Sequence, residues 1–195
     1  MQNYHKHSWF TNTLVPDCTT SYDAYLKRVV ELGHNVISSV EHGFQSNYYV
    51  PYELVMKYND KLKQKLEDQL ITEDEYKKQK LKFVFGAEAY WVKDRHEKDR
   101  TNCHIILLAK NEEGRQDINE ALSDANIDGY YGQPRVDLEL LLKIKPENVF
   151  VTTACLKYWV YDDIEEITKT LHNHFKDNFY LEIQYHNTEK QREIN

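Results

Sequence analysis

The chain has 195 residues with a formal net charge of −7, and 41% of it is hydrophobic, enough to build a core of ordinary domain size. That charge excludes a surface that holds nucleic acid by phosphate neutralisation alone, so a phosphate ester would need bound cations to supply the positive charge. Three cysteines without a CxxC exclude a disulfide framework, and neither a membrane span nor a signal peptide is legible, so a cytoplasmic protein without membrane contact is expected.

Tyr4-His5-Lys6-His7-Ser8 opens the chain. In a strand, residues i and i+2 project from one face, so His5 and His7 there can grip one metal ion. A helix is expected over 21–32, with Ser21 as N-cap, Tyr25/Val29 and Leu26/Val30 as apolar pairs, and Gly33 as its stop. Asn35–Val40 reads as a strand that delivers Glu41 and His42 at its C-terminal end. Pro51 opens a helix towards Leu70, and Thr72-Glu73-Asp74-Glu75 is a capping box for a second. The stretch 53–82 is rich in Lys and Glu without Gly or Pro, which predicts a solvated helical hairpin inserted into a single domain.

Lys82–Phe85 is the next expected strand, followed by Gly86-Ala87-Glu88, and the charged run Asp94–Arg100 reads as a loop. Cys103–Ala109 is strand-like with His104 at its start, 112–125 an amphipathic helix, and Gly129–Arg135 a loop. A short helix over Val136–Leu142 precedes a strand over Asn148–Thr153 that ends at Ala154-Cys155. Asp162–Phe175 is a helix and Phe179–Tyr185 a last strand with alternating burial. Short apolar runs alternating with amphipathic ones are the βαβ signature of a parallel sheet. An α/β barrel or barrel-like sheet follows, with its site at the C-terminal ends of the strands. His104 is the exception.

Zinc and manganese accept imidazole, carboxylate and thiolate, and paired metals can activate water and hold an in-line phosphoryl displacement. His5, His7, Asp17, His42, Glu88, His104 and Cys155 supply those ligand types. Singly, each has a plainer reading: Glu88 a surface carboxylate, Cys155 a small buried hydrophobe, Asp17 a turn residue. His34, His96, His172, His174 and His186 have no such company and read as ordinary polar residues.

As an ordered set these segments resemble a known family. His-Lys-His-Ser-Trp-Phe-Thr-Asn (5–12), Pro-Asp (16–17) and Val-Ile-Ser-Ser-Val-Glu-His-Gly (36–43) are similar to the opening of the PHP (polymerase and histidinol phosphatase) domain. Phe-Gly-Ala-Glu-Ala-Tyr (85–90), His-Ile-Ile-Leu-Leu-Ala-Lys-Asn (104–111), Gln-Pro-Arg-Val-Asp (133–137), Val-Thr-Thr-Ala-Cys-Leu (151–156) and Phe-Tyr-Leu-Glu-Ile-Gln (179–184) follow in the order of bacterial and phage DNA polymerase III alpha subunits. The resemblance implies a distorted (β/α)7 barrel carrying up to three divalent metals (Zn, Mn or Fe). It places His5 and His7 on one metal, Glu88 bridging to a second completed by His104 and Cys155, and Asp17 with His42 towards a third. Glu88 and His104 are the implied catalytic residues.

The implied activity is metal-dependent phosphoester hydrolysis, with a DNA 3′ end held through its phosphate and proofread in the 3′–5′ direction. The alternatives are a non-catalytic platform within a replicative polymerase and a stand-alone phosphomonoesterase of the histidinol-phosphate type. The implied partners are the remainder of a polymerase polypeptide or replisome subunits. Two departures from the family pattern are Glu41 where Asp is usual, and the lack of the terminal Asp-x-His, since the sequence stops at Asn195 before the strand that motif follows. The second implies an N-terminal portion of the barrel without its last segments, fewer metals and weak hydrolysis. No polymerase palm is legible, so nucleotide addition is not expected of this chain.

Overall fold

The computed structural model describes residues 4–45, 47–185 and 188–194; His186 lies outside them. They form a mixed α/β structure in two compact units: Gln45–Phe85 with the residues up to Glu41, and His42–Phe44 with the residues from Gly86 onwards.

In the first unit, Ser8 caps a 3-10 turn over Trp9–Thr13, and Ser21 caps α1 (Tyr22–Glu31) by accepting from the Ala24 amide. β1 (Val36–His42) is buried along its whole length, which is why its sequence shows no alternation. α2 (Tyr49–Glu67) starts two residues before Pro51, and α3 (Glu73–Gln79) begins with the expected Thr72/Glu75 capping box. Tyr22 and Val29 of α1, Ile37 of β1, Val55 of α2 and Leu81 form the core.

The solvated hairpin expected over 53–82 fits α3, which buries no residue, but not α2, which buries Pro51, Val55 and Leu62. The Asn59 side chain also donates to the Leu81 carbonyl and accepts from its amide, both at 2.9 Å. Leu62→Ala is therefore expected to lower stability by about 2–5 kcal/mol, read from the urea midpoint, whereas a peripheral α2 would show no loss.

β2 (Lys82–Trp91) leaves this unit after Phe85. In the second unit it is followed by β3 (Cys103–Ala109), α4 (Glu112–Ile127), β4 (Arg135–Val136), α5 (Leu138–Lys143), β5 (Val149–Thr153), α6 (Ile164–Phe175), β6 (Phe179–Tyr180) and α7 (Glu189–Ile194). The strands run β2-β3-β5-β6, with β4 beside β2. β1 and β2 lie side by side: the Lys82 amide donates to Asn35 (2.8 Å) in the first unit, and the Gly43 amide to Glu88 (2.7 Å) in the second.

The parallel sheet expected from sequence is only part of the picture. β5/β6 and β2/β4 are parallel, but β2/β3 and β3/β5 are antiparallel. The connection from β2 to β3 carries no helix, and a strand that returns without a crossover helix pairs antiparallel. The last strand is also shorter than expected. The Glu182 amide donates to the Thr153 hydroxyl at 2.8 Å rather than to a β5 carbonyl, so the ladder stops at Tyr180.

Two arginines organise the charged run at 94–100. Arg135, 2% exposed, donates to the carbonyls of Gly129 (2.9 Å), Arg95 (2.6 Å), Glu97 (2.7 Å) and Asp99 (2.8 Å). Arg95 is buried too: its Nη1 reaches both oxygens of Asp137 at 2.8 and 2.9 Å, with Asp128 and Glu139 at 3.2 and 3.1 Å from the same guanidinium. Asp137 also caps α5. The loop expected here is thus held from inside. Arg135→Lys replaces a planar fork by a point donor and leaves buried carbonyls unsatisfied. A loss of at least about 3 kcal/mol is expected, with faster proteolysis at Lys98 and Arg100; an unchanged unfolding midpoint would refute the clamp.

Candidate metal centre

In the second unit, Glu88 and Tyr90 share one face of β2 because side chains alternate. The register sets Tyr90 opposite His104 and Glu88 opposite Ile106, so Glu88 and His104 are diagonal neighbours on that face. This explains why His104 sits at the start of its strand: an antiparallel β3 begins where β2 ends. Glu88 lies within β2 rather than at its edge, 2% exposed. His42, the last residue of β1, completes the group, and the ligand atoms of His42, Glu88 and His104 lie within 4.8 Å of one another.

One oxygen of Glu88 stands 2.8 Å from His42 Nδ1 and the other 3.0 Å from His104 Nδ1. Cys155, just past β5, brings Sγ to 3.4 Å from the same His104 nitrogen. Tyr90 stacks on His42 (5.8 Å, 14°) and meets His104 edge-on (5.2 Å). Gly43 turns the chain away at φ +67; a Cβ there would meet the Tyr90 ring at 3.0 Å, so glycine is required where the strand passes this ring.

Burial opposes charge on His104, but hydrogen bonds to Cys155 and Glu88 outweigh it and push the imidazole up to about 9. Burial also opposes the Cys155 thiolate, yet the hydrogen bond to His104 holds the thiol below its ordinary value. Neighbouring Cys103 is pushed up to about 12 by burial and is inert by comparison. Two donors on one tetrahedral zinc, at bonds of about 2.0–2.3 Å, stand roughly 3.3–3.8 Å apart. The 3.4 Å between Cys155 and His104 fits that spacing, whereas the 2.8 and 3.0 Å from Glu88 to His42 and His104 are hydrogen-bond distances that a shared metal would have to open. Two imidazoles and a carboxylate gathered within 4.8 Å are a donor set that could hold a divalent metal, with the thiol of Cys155 beside His104.

In the first unit, His5 and His7 lie in an extended segment outside any strand, yet their Nε2 atoms approach to 3.2 Å with rings at 90°. The backbone is strapped in place. Ser38 donates to the Tyr4 carbonyl (2.6 Å), Tyr25 and Cys18 to that of His7 (2.5 and 3.2 Å), and Ser8 is bound by buried Glu41. Glu41 accepts from the Ser8 amide (3.1 Å), the Ser8 hydroxyl (2.5 Å) and the Tyr22 phenol (2.6 Å). Burial, then the Glu41 charge, holds that phenol well above its ordinary value. Asp17 is exposed, with a ligand atom within 4.8 Å of His7.

Each unit therefore gathers part of the expected set: His42, Glu88, His104 and Cys155 in one, His5, His7 and Asp17 in the other. Sequence reasoning missed Tyr90, although its place two residues after Glu88 on one strand face was a usable signal. It also missed Tyr22 and the anchoring role of Glu41, which follow from no spacing.

The PHP domain profile matches residues 3–186. The chain belongs to the PHP domain family. This PHP domain is 28% identical over 210 residues to DNA polymerase III subunit alpha of Aquifex aeolicus (strain VF5), over 98% of this chain and 16% of that protein. It is 28% identical over 189 residues to the Helicobacter pylori (strain ATCC 700392 / 26695) subunit, over 86% of this chain and 14% of that protein. With the subunit of Borreliella burgdorferi (strain ATCC 35210 / DSM 4680 / CIP 102532 / B31) it shares 30% over 135 residues, 62% of this chain and 12% of that one. The chain thus spans 16% or less of these relatives. Among the described residues of this PHP domain, no helix is long and apolar enough to cross a membrane.

Proposed function

We propose that this PHP domain is a metal-dependent phosphoesterase of a DNA polymerase III alpha-like replicative system, removing nucleotides from DNA 3′ ends. The observation that carries the reading is the buried carboxylate of Glu88 set between two imidazoles, with a thiol on the second. We assign His42, Glu88, His104 and Cys155 as metal ligands in the second unit and His5, His7 and Asp17 in the first. The proposed fold is the family's distorted (β/α)7 barrel as a single domain with an insertion at 53–82, and the proposed setting is the cytoplasm.

A bound zinc, manganese or iron would supply Lewis acidity and activate water for attack on phosphorus. The chain's own residues do the rest. Glu88 spans the two histidines, Tyr90 stacks on the His42 ring, and Cys155, its thiol held low by His104, offers negative charge that complements a cation. In the metal-free centre His104 stands close enough to Glu88 to share a proton with it.

Metal content by mass spectrometry of the elements, with digestion of a 3′-labelled oligonucleotide, tests the reading. Metal-dependent loss of the 3′ label that disappears in His104→Ala is expected. Bound metal without hydrolysis would instead indicate a platform, and cleavage of small phosphomonoesters alone would indicate a phosphatase.

The raised value of His104 gives a pH signature. Below about pH 9 the metal-free ring holds a proton that a metal must displace, so binding near pH 7 should release a proton and strengthen as pH rises towards 9. Calorimetry in buffers of different ionisation enthalpy measures that proton, and metal binding near pH 7 with no proton released would show that the ring is neutral beforehand.

A further inference from the structure

In the first unit, α2, α3 and the start of β2 enclose an open groove of about 380 Å³ that the metal chemistry leaves unused. Its walls are aromatic: Tyr52 meets Phe83 edge-on at 5.9 Å, and Tyr76 faces them from α3. Asn59, bonded twice to the Leu81 backbone, ties α2 to the residue before the strand and keeps the groove's floor fixed. The rim carries Lys63 and Lys80 against one carboxylate, Asp60. Lys63 shares its charge with Glu67 at 3.5 Å, while the Lys80 ammonium lies over the Tyr76 ring at 5.7 Å. Two lysines here balance Asp60 and Glu67 in a chain of net charge −7, so the groove offers flat aromatic faces with ammonium groups at their edge, which suits an anion with flat apolar faces.

We propose that this groove binds single-stranded DNA, with bases stacked on Tyr52 and Tyr76 and phosphates held by Lys80 and Lys63. Rings and cations in alternation are what a sequence-tolerant single-strand site requires, because every base has a stacking face and every linkage a charge. An acidic peptide would use the lysines but leave the rings idle. The inference rests on the DNA reading above and adds a strand-holding surface to it.

The test is fluorescence anisotropy of a 5′-labelled twelve-residue oligothymidylate with the whole chain in EDTA at low salt, so that neither metal nor hydrolysis contributes. Binding with a dissociation constant on the order of 10 µM is expected, weakening as salt rises. Tyr76→Ala, Tyr52→Ala and Lys80→Glu should each weaken it by about tenfold. Tyr76→Phe keeps the ring and should bind normally, and His104→Ala, which removes the proposed hydrolysis, should bind as the parent does. Tyr52 and Lys80 are exposed, so an unchanged melting temperature separates lost binding from lost fold. Oligonucleotide binding indifferent to Tyr52, Tyr76 and Lys80 would overturn the proposal. So would equal competition by thymidine monophosphate, which would indicate a mononucleotide pocket, or binding of an acidic peptide with no binding of the oligonucleotide.

Discussion

Glu88→Ala is expected to prevent the proposed metal binding in the second unit and the proposed hydrolysis of DNA 3′ ends. The carboxylate is the group common to both histidines, at 2.8 and 3.0 Å. Without it His42 and His104 lose their shared neighbour as well as a ligand. Loss of an outer group that merely orients a ligand typically costs 10–100-fold in metal affinity, so loss of the shared carboxylate should cost more than about 100-fold. Glu88→Gln keeps the volume but removes the charge and should fall nearly as far. Metal content after dialysis and single-turnover digestion measure the two effects. Full metal content and full activity in Glu88→Ala would remove this carboxylate from the centre.

The second large effect is expected at Glu41, and there it is structural. Three donors, the Ser8 amide, the Ser8 hydroxyl and the Tyr22 phenol, converge on this carboxylate, which is 1% exposed. Alanine leaves the Ser8 amide and hydroxyl without their acceptor inside the protein, while the Tyr22 phenol keeps only the Ser39 hydroxyl at 2.8 Å. Hydrogen bonds to charged groups are worth about 1.5–3 kcal/mol each, and the losses overlap, so a fall of about 3–5 kcal/mol is expected. Glu41→Asp shortens the reach by one methylene and should fall between. Urea unfolding gives the order, and the approach of His5 to His7 should loosen with it, visible as broadened imidazole resonances. A variant as stable as the parent would show that water replaces the carboxylate at no cost.

The helices were largely legible because their ends are written in side chains: Ser21 before α1, and Thr72 with Glu75 before α3. Strand direction was not. Hydrophobic period reports that a segment is extended, not which way its neighbour runs, so the antiparallel β3 and the placement of His104 emerged only with the register. Asp94–Arg100 misled in another way. A charged run reads as solvated, and nothing local distinguishes Arg95, which is buried and bonded to Asp137, from the exposed Arg100. The ligand types were visible as an ordered set, whereas the straps on His5 and His7 come from residues 11–34 positions away and have no local signature.

The grip of Arg135 acts as a ruler. Three of its four acceptors are the carbonyls of residues 95, 97 and 99, one from every second residue. A carbonyl has no side-chain identity, so the arginine measures the spacing of this segment and ignores its spelling. His96, Glu97 and Lys98, whose side chains face solvent, are free to be rewritten for labels, altered charge or altered chemistry. Adding or removing a single residue is a different operation, because it moves these carbonyls out of register with the guanidinium. The segment is open to substitution and closed to a change of length.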